Sequence, residues 1–157
     1  MEISLLPLTH DLAGRITEME LAGFPVASDF PSEGDLTIAA FVVSGDIAPV
    51  TEDWPWGPWL IETEGLVVGT AGFKGEPAAG VTEIGYGVSE SHRGRGIATS
   101  AVSRLVDIAR AKEISGLTAE TDTDNHSSHA VLRNCNFVPD NSEEPVWWRL
   151  DLGVVQL

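Results

Sequence analysis

The sequence predicts a mixed α/β domain built on one sheet with helices on its faces, and three observations predict it. Three β-rich runs, Trp59 to Thr63, Leu66 to Lys74 and Val81 to Val88, succeed one another across glycine-bearing turns. An amphipathic helix spans Thr99 to Lys112, with Val102, Leu105, Ile108 and Ala109 on one face and Arg104, Asp107 and Arg110 on the other. The chain has 157 residues, 43% of them hydrophobic, enough for one core and too few for two ordinary domains, so residues 1–157 are expected to form a single domain.

Taken in order, Ile3 to Leu8 alternates loosely and reads as a first strand. Thr9 then caps a helix carrying Leu12, Ile16 and Met19 near helical spacing. Phe24 to Val50 is broken by Pro25, Pro31 and Gly34. It holds an apolar run from Leu36 to Val43 that suits a helix, then breaks again at Gly45 to Pro49. The three β-rich runs suit an antiparallel meander, its turns at Glu64-Gly65 and Gly75 to Gly80. Gly116 follows the Thr99 helix as a stop. Leu117 to Asp122 reads as a strand, Ser127 to Asn134 as a short helix and Val146 to Leu152 as a last strand, and the chain shows no repeat or linker.

The balance of 24 acidic against 9 basic side chains, formally -15, repels phosphate backbones and anionic lipid. Nucleic acid and membrane are therefore not expected as partners. No run approaches a membrane span, and the start of the chain lacks the pattern of a signal peptide, so a soluble, cytoplasmic protein is expected. Cys135, the only cysteine, excludes an internal disulfide and a cysteine-based zinc site. His126 and His129 have no carboxylate at metal-ligand spacing, and no metal is expected.

On so acidic a chain, a place where scarce arginines meet glycine is informative. Val88 to Thr99 runs from a strand into a helix through Arg93-Gly94-Arg95-Gly96-Ile97-Ala98-Thr99. The first turn of a helix leaves N–H groups without intrahelical partners, the macrodipole adds positive potential, and glycine lets a diphosphate approach the backbone. A Walker P-loop would need lysine where Ala98 stands. A dinucleotide fingerprint would end in glycine where Thr99 stands, and would leave no room for a doubly wound sheet.

The segment Arg93-Gly94-Arg95-Gly96-Ile97-Ala98 resembles the Arg/Gln-x-x-Gly-x-Gly/Ala motif of the GNAT superfamily, the acetyl-CoA-dependent N-acetyltransferases. The strand Glu83-Ile84-Gly85-Tyr86-Gly87-Val88, the helix start Ala98-Thr99, and Asn125-His126-Ser127-Ser128 with Phe137 twelve residues beyond Asn125 resemble the same family in its order. The likeness covers roughly Trp59 to Leu150, with a flavour of the ribosomal-protein N-terminal acetyltransferase-like branch. Asn136 departs from the family's usual glycine, mildly, because asparagine also tolerates the left-handed conformation.

The resemblance implies a GNAT-like fold, a mostly antiparallel sheet flanked by helices on both faces, with acetyl-CoA as co-substrate. It implies that backbone N–H groups from Gly94 to Thr99 hold the pyrophosphate, with Arg93 or Arg95 beside it. Val88 would bond the pantetheine arm, Asn125 its amide, with Ser128 nearby, and an N–H between Tyr86 and Val88 would stabilise the oxyanion. Glu120 is the expected general base and Glu83 the second choice, its parity on the strand being opposite to that of Tyr86 and Val88. The family's tyrosine acid falls at Leu132 here, which leaves Ser128, Tyr86, Cys135 or solvent to protonate the leaving thiolate.

The acceptor is read as an amine, cationic if the carboxylates of Glu113 to Asp124 and Asp140 to Glu144 attract it, though such runs also serve as a solvated face. A protein N-terminus and a small amine both remain open. Trp54, Trp56 and Trp59 are read first as packing and second as a pocket wall, and one of Trp147 and Trp148 as core or a subunit contact. The apolar last strand and the family resemblance together suit a homodimer. The alternative to the enzyme is an inactive acyl-CoA-binding sensor of the same fold.

Overall fold

The computed structural model describes residues 2–153; Met1 and residues 154–157, which the single-domain expectation also takes in, lie outside the described residues. The elements are β1 (Ser4–Pro7), α1 (His10–Thr17), α2 (Glu33–Ser44), β2 (Pro58–Thr63), β3 (Leu66–Phe73), β4 (Val81–Val88), a 3-10 turn (Glu90–His92), α3 (Ile97–Ala111), β5 (Gly116–Thr121), α4 (His126–Asn134), β6 (Val138–Pro139) and β7 (Val146–Asp151). The strands lie in the order β1-β2-β3-β4-β5-β7-β6. Every neighbouring pair is antiparallel except β4 and β5, which are parallel.

Local chemistry explains where the helices begin. Thr9 Oγ1 accepts the Leu12 N–H at 3.1 Å and caps α1. Ser32 and Asp35 form a reciprocal capping box on α2, and Gly45 ends that helix at φ 85. Helix α2 is fixed to the sheet by a buried polar contact, Thr70 Oγ1 donating to Asp35 Oδ1 at 2.9 Å. Asn136 takes φ 70, the left-handed geometry expected after α4.

Register separates the two faces of the sheet. Thr70 pairs with Gly87 and Ala71 with Tyr86, so Thr70 and Gly87 face α2 while Ala71 and Tyr86 face the other way. On that other side the Tyr86 hydroxyl meets Ser128 of α4, which puts helices on both faces. The core runs through both layers and includes Leu60, Ile84, Leu105, Leu117, Leu132 and Trp148.

Two expectations are corrected, and one strand was not expected. Met19 lies beyond the end of α1, at φ 57 and 59% exposed, because the chain has already turned after Thr17. Gly116 does not stop α3; the stop is at Lys112 and Glu113, the latter at φ 57, and Gly116 opens β5 close against the Leu150 carbonyl. The short β6 has no counterpart in the sequence reading, since two residues including a proline carry no alternation.

Candidate functional site

The fork between β4 and β5 makes the site. Their pairing covers only Val81, Thr82 and Glu83 against Gly116, Leu117 and Thr118. Beyond those three pairs β4 continues to Val88 and β5 to Thr121 without pairing to one another. A cleft of 510 Å³ opens along that divergence, bordered by Tyr86 to Val88 on one side, Arg93, Gly94 and Gly96 to Thr99 at its head, and Asn125, Ser128 and Val131 from the α4 side.

At the head of the cleft, Gly94 and Gly96 adopt φ 77 and 80, which L-residues rarely take, and a Cβ on either would meet no heavy atom within 4 Å. The backbone there is therefore both sharply turned and open. Gly96 caps α3, and the Ser100 N–H is the first to bond back, to the Gly96 carbonyl at 3.0 Å. The N–H groups of Ile97, Ala98 and Thr99 precede that bond at the positive end of a 15-residue helix. Backbone donors at a helix N-terminus, preceded by two glycines and bordering a cleft, suit a diphosphate.

Arg93 lies beside this turn with Nε donating to the Val88 carbonyl at 3.0 Å, so its guanidinium is held over the end of β4. Arg95 is exposed and does not border the cleft.

On the long wall, Tyr86 Oη and Ser128 Oγ lie 2.5 Å apart, and the Ser128 N–H donates to Asn125 Oδ1 at 3.2 Å. Asn125 thus caps α4 through its oxygen and keeps its NH₂ for another acceptor. Burial pushes the Tyr86 phenol above its ordinary value, against a smaller opposing effect of the Ser128 bond. It remains a neutral donor at physiological pH. Burial likewise raises Cys135, whose thiol donates to the Thr99 carbonyl at 3.5 Å, which disfavours a reactive thiolate. Leu132 is fully buried.

The two carboxylates lie on the opposite face. Glu83 pairs with Thr118 in register, which puts Glu83, Thr118 and Glu120 together on the side away from Tyr86. Lys74 joins them, its Nζ 2.6 Å from Glu83 Oε2 and 3.9 Å from Glu120 Oε1. Glu120 also borders a groove of 370 Å³ with Thr121, Asp122, Asn125 and Pro145, and Asn125 borders both this groove and the cleft.

The sequence reading missed several contacts around this centre. Asp122 is held above the usual carboxylate range chiefly by its hydrogen bond with Glu144, while the Thr123 N–H and hydroxyl hold Glu144 below it. Asp29 Oδ2 accepts the Ser91 N–H at 2.9 Å and Oδ1 its hydroxyl at 2.6 Å, which fastens the α1–α2 loop to the segment before the phosphate-type turn. Lys74 carried one usable signal, being one of only two lysines in the chain.

The remaining candidates are structural. Trp56 packs edge-on against Phe73, and Trp59 Nε1 donates to the Pro55 carbonyl. Trp148 is buried and Trp147, its neighbour on the other face, is 38% exposed. His129 bonds the Asp122 carbonyl and stacks near Trp148. Among the described residues no group of three or more His, Cys, Asp or Glu could hold a metal, and no helix is long and apolar enough to cross a membrane.

Residues 21–137 match the acetyltransferase (GNAT) family. Over 74 residues the chain is 35% identical to an uncharacterised N-acetyltransferase of Bacillus subtilis (strain 168), YjdG, a match covering 46% of this chain and 44% of that protein. Among solved structures, ribosomal-protein-S5-alanine acetyltransferase from Vibrio fischeri superposes with a TM-score of 0.66 at 15% identity, covering 98% of this chain and 94% of that one. The putative acetyltransferase yncA from Salmonella typhimurium, solved with its cofactor acetyl-CoA, gives 0.66 at 18% identity over 100% and 98% of the two chains.

Proposed function

The chain belongs to the acetyltransferase (GNAT) family, and on that premise we propose that it transfers an acetyl group directly from acetyl-CoA to a primary amine. The observation that carries the proposal is the open β4–β5 fork, with bare backbone donors at its head and a neutral phenol on its wall. The acetyl donor supplies an activated thioester; the chain's residues bind, orient and move protons.

In this reading the N–H groups from Gly94 to Thr99 hold the pyrophosphate, aided by the Arg93 guanidinium, with Arg95 contributing charge from outside the cleft. The unpaired stretch of β4 up to Val88 offers backbone bonds to the pantetheine arm, as the Asn125 NH₂ does to its amide. An N–H between Tyr86 and Val88 receives the oxyanion. Tyr86, a neutral phenol at physiological pH and bonded to Ser128, returns a proton to the thiolate.

The amine must arrive uncharged. Removing its proton at pH 7 costs about 4.6 kcal/mol for a lysine-like amine of pKa about 10.4, and about 1 kcal/mol for an α-amine near 8. Glu120 is the proposed base, because Glu83 is already engaged by Lys74 at 2.6 Å while Glu120 borders the groove. Glu120, Asp122 and Glu144 give that side a negative potential suited to a cationic acceptor. A cytoplasmic location and a homodimer are part of the same proposal.

The test is the release of CoA thiol from acetyl-CoA in the presence of a panel of amines: α-amino peptides, diamines and amino acids. Turnover with any of them, reduced by Glu120→Gln, supports the enzyme. Binding of acetyl-CoA without turnover on any amine would instead identify a sensor.

A further inference from the structure

Lys74 follows β3 directly and occupies an unusual place for a cation on so acidic a chain. Two glycines, Gly85 and Gly87, leave the face of β4 opposite Tyr86 without side chains at the fork. A Cβ on Gly85 would stand 3.2 Å from Lys74 Cε, so the lysine stem lies across that bare strand. Its ammonium then sits where β4 and β5 part, between Glu83 on one strand and Glu120 on the other. Tyr86 and Gly87, on the same stretch of β4, border the cleft from the other side. A primary amine is thus held beside two carboxylates, one strand's thickness from the wall along which the thioester would lie, on a stem that is half exposed.

We propose that Lys74 is an internal acceptor, acetylated in cis by the chain's own site. This rests on the acetyltransferase reading above. In the step, the Lys74 ammonium passes one proton to Glu83, and from there to water. The freed nitrogen pair attacks the thioester carbonyl, a C–N bond forms and the C–S bond breaks. CoA leaves with the electron pair and is protonated to the thiol, giving acetyl-lysine and CoA with no other reactant. The modification removes the charge that bridges Glu83 and Glu120 and leaves both carboxylates for an external cationic amine. Self-acetylation therefore opens the acceptor side.

The chain supplies its own control. Lys112, the other lysine, is exposed at the far end of α3, about 24 Å from Gly96 at 1.5 Å per residue along the helix. The experiment is incubation of the full chain with acetyl-CoA alone, followed by intact mass and peptide mapping, with acetyl-CoA binding followed in parallel by thermal shift. The expected result is one acetyl group on Lys74 and little on Lys112, with a rate per molecule independent of protein concentration. It should be lost in Lys74→Arg and in Ala98→Trp, a substitution in the helical first turn that fills the cleft. Equal labelling of both lysines, labelling that survives Ala98→Trp, or a rate that rises with protein concentration overturns the proposal. A thermal shift without Lys74 acetylation sinks this inference alone, whereas neither shift nor acetylation sinks the acetyltransferase reading with it.

Discussion

At the scale of single residues, Tyr86 carries the sharpest expectation. Its phenol is mostly buried, and burial raises its pKa above the ordinary value of 10.0. Because it is the chain's only tyrosine, a spectroscopic titration of phenolate absorbance reads it alone, and the folded protein should show a midpoint above 10. The unfolded chain loses that proton first, so above pH 10 it binds fewer protons than the native state and stability falls as pH rises. Melting temperature should therefore decline more steeply through that window in wild type than in Tyr86→Phe. If the phenol also protonates the leaving thiolate, Tyr86→Phe lowers kcat by up to about 100-fold with little change in KM for acetyl-CoA. The turn at Gly94 and Gly96 was legible in the sequence because its chemistry is local: two glycines and a helix start. The Lys74 bridge was not, because it depends on a register that brings Glu83 opposite Thr118 and so Glu120 alongside.

Among the elements, α2 depends most on one side chain. Asp35 is 5% exposed and accepts two bonds, from the Ser32 N–H at 2.9 Å and from the Thr70 hydroxyl at 2.9 Å. Its loss removes half a capping box and leaves a buried hydroxyl unpaired, so Asp35→Ala should cost about 2 to 3 kcal/mol in urea unfolding. Ser32→Ala breaks only the cap and should cost about 1 kcal/mol. Equal costs would mean that the Thr70 bond contributes nothing. The apolar run Leu36 to Val43 suggested a helix but not its start, since Ser32 and Glu33 lie ahead of the run. By contrast, α3 and the β2–β4 meander were readable almost to their ends, because helical periodicity and glycine turns are properties of neighbouring residues. Strand β6 was unreadable because only its partner β7 makes it a strand.

In the whole molecule, one sheet is assembled from two parts, β1 to β4 and β5 to β7, that meet in three residue pairs at the base of the fork. The sequence could suggest that Val88 ends at a divergence only through family resemblance; nothing in the strand itself says where its neighbour leaves. A ligand seated in the fork contacts β4, the α3 N-terminus and α4 together, surfaces that coexist only when the sheet is assembled. Acetyl-CoA should therefore bind the native state and not the unfolded chain. At 100 times Kd such binding stabilises by about 2.7 kcal/mol, which for a domain of this length raises Tm by about 5 to 10 °C. The Ala98→Trp variant should keep the far-UV spectrum of the wild type and lose the shift, because its bulk lies where the diphosphate would approach while its helical backbone takes no strain. A shift of equal size in both proteins would move the binding place away from the fork, and with it the assignment of Gly94 to Thr99 as the phosphate cradle.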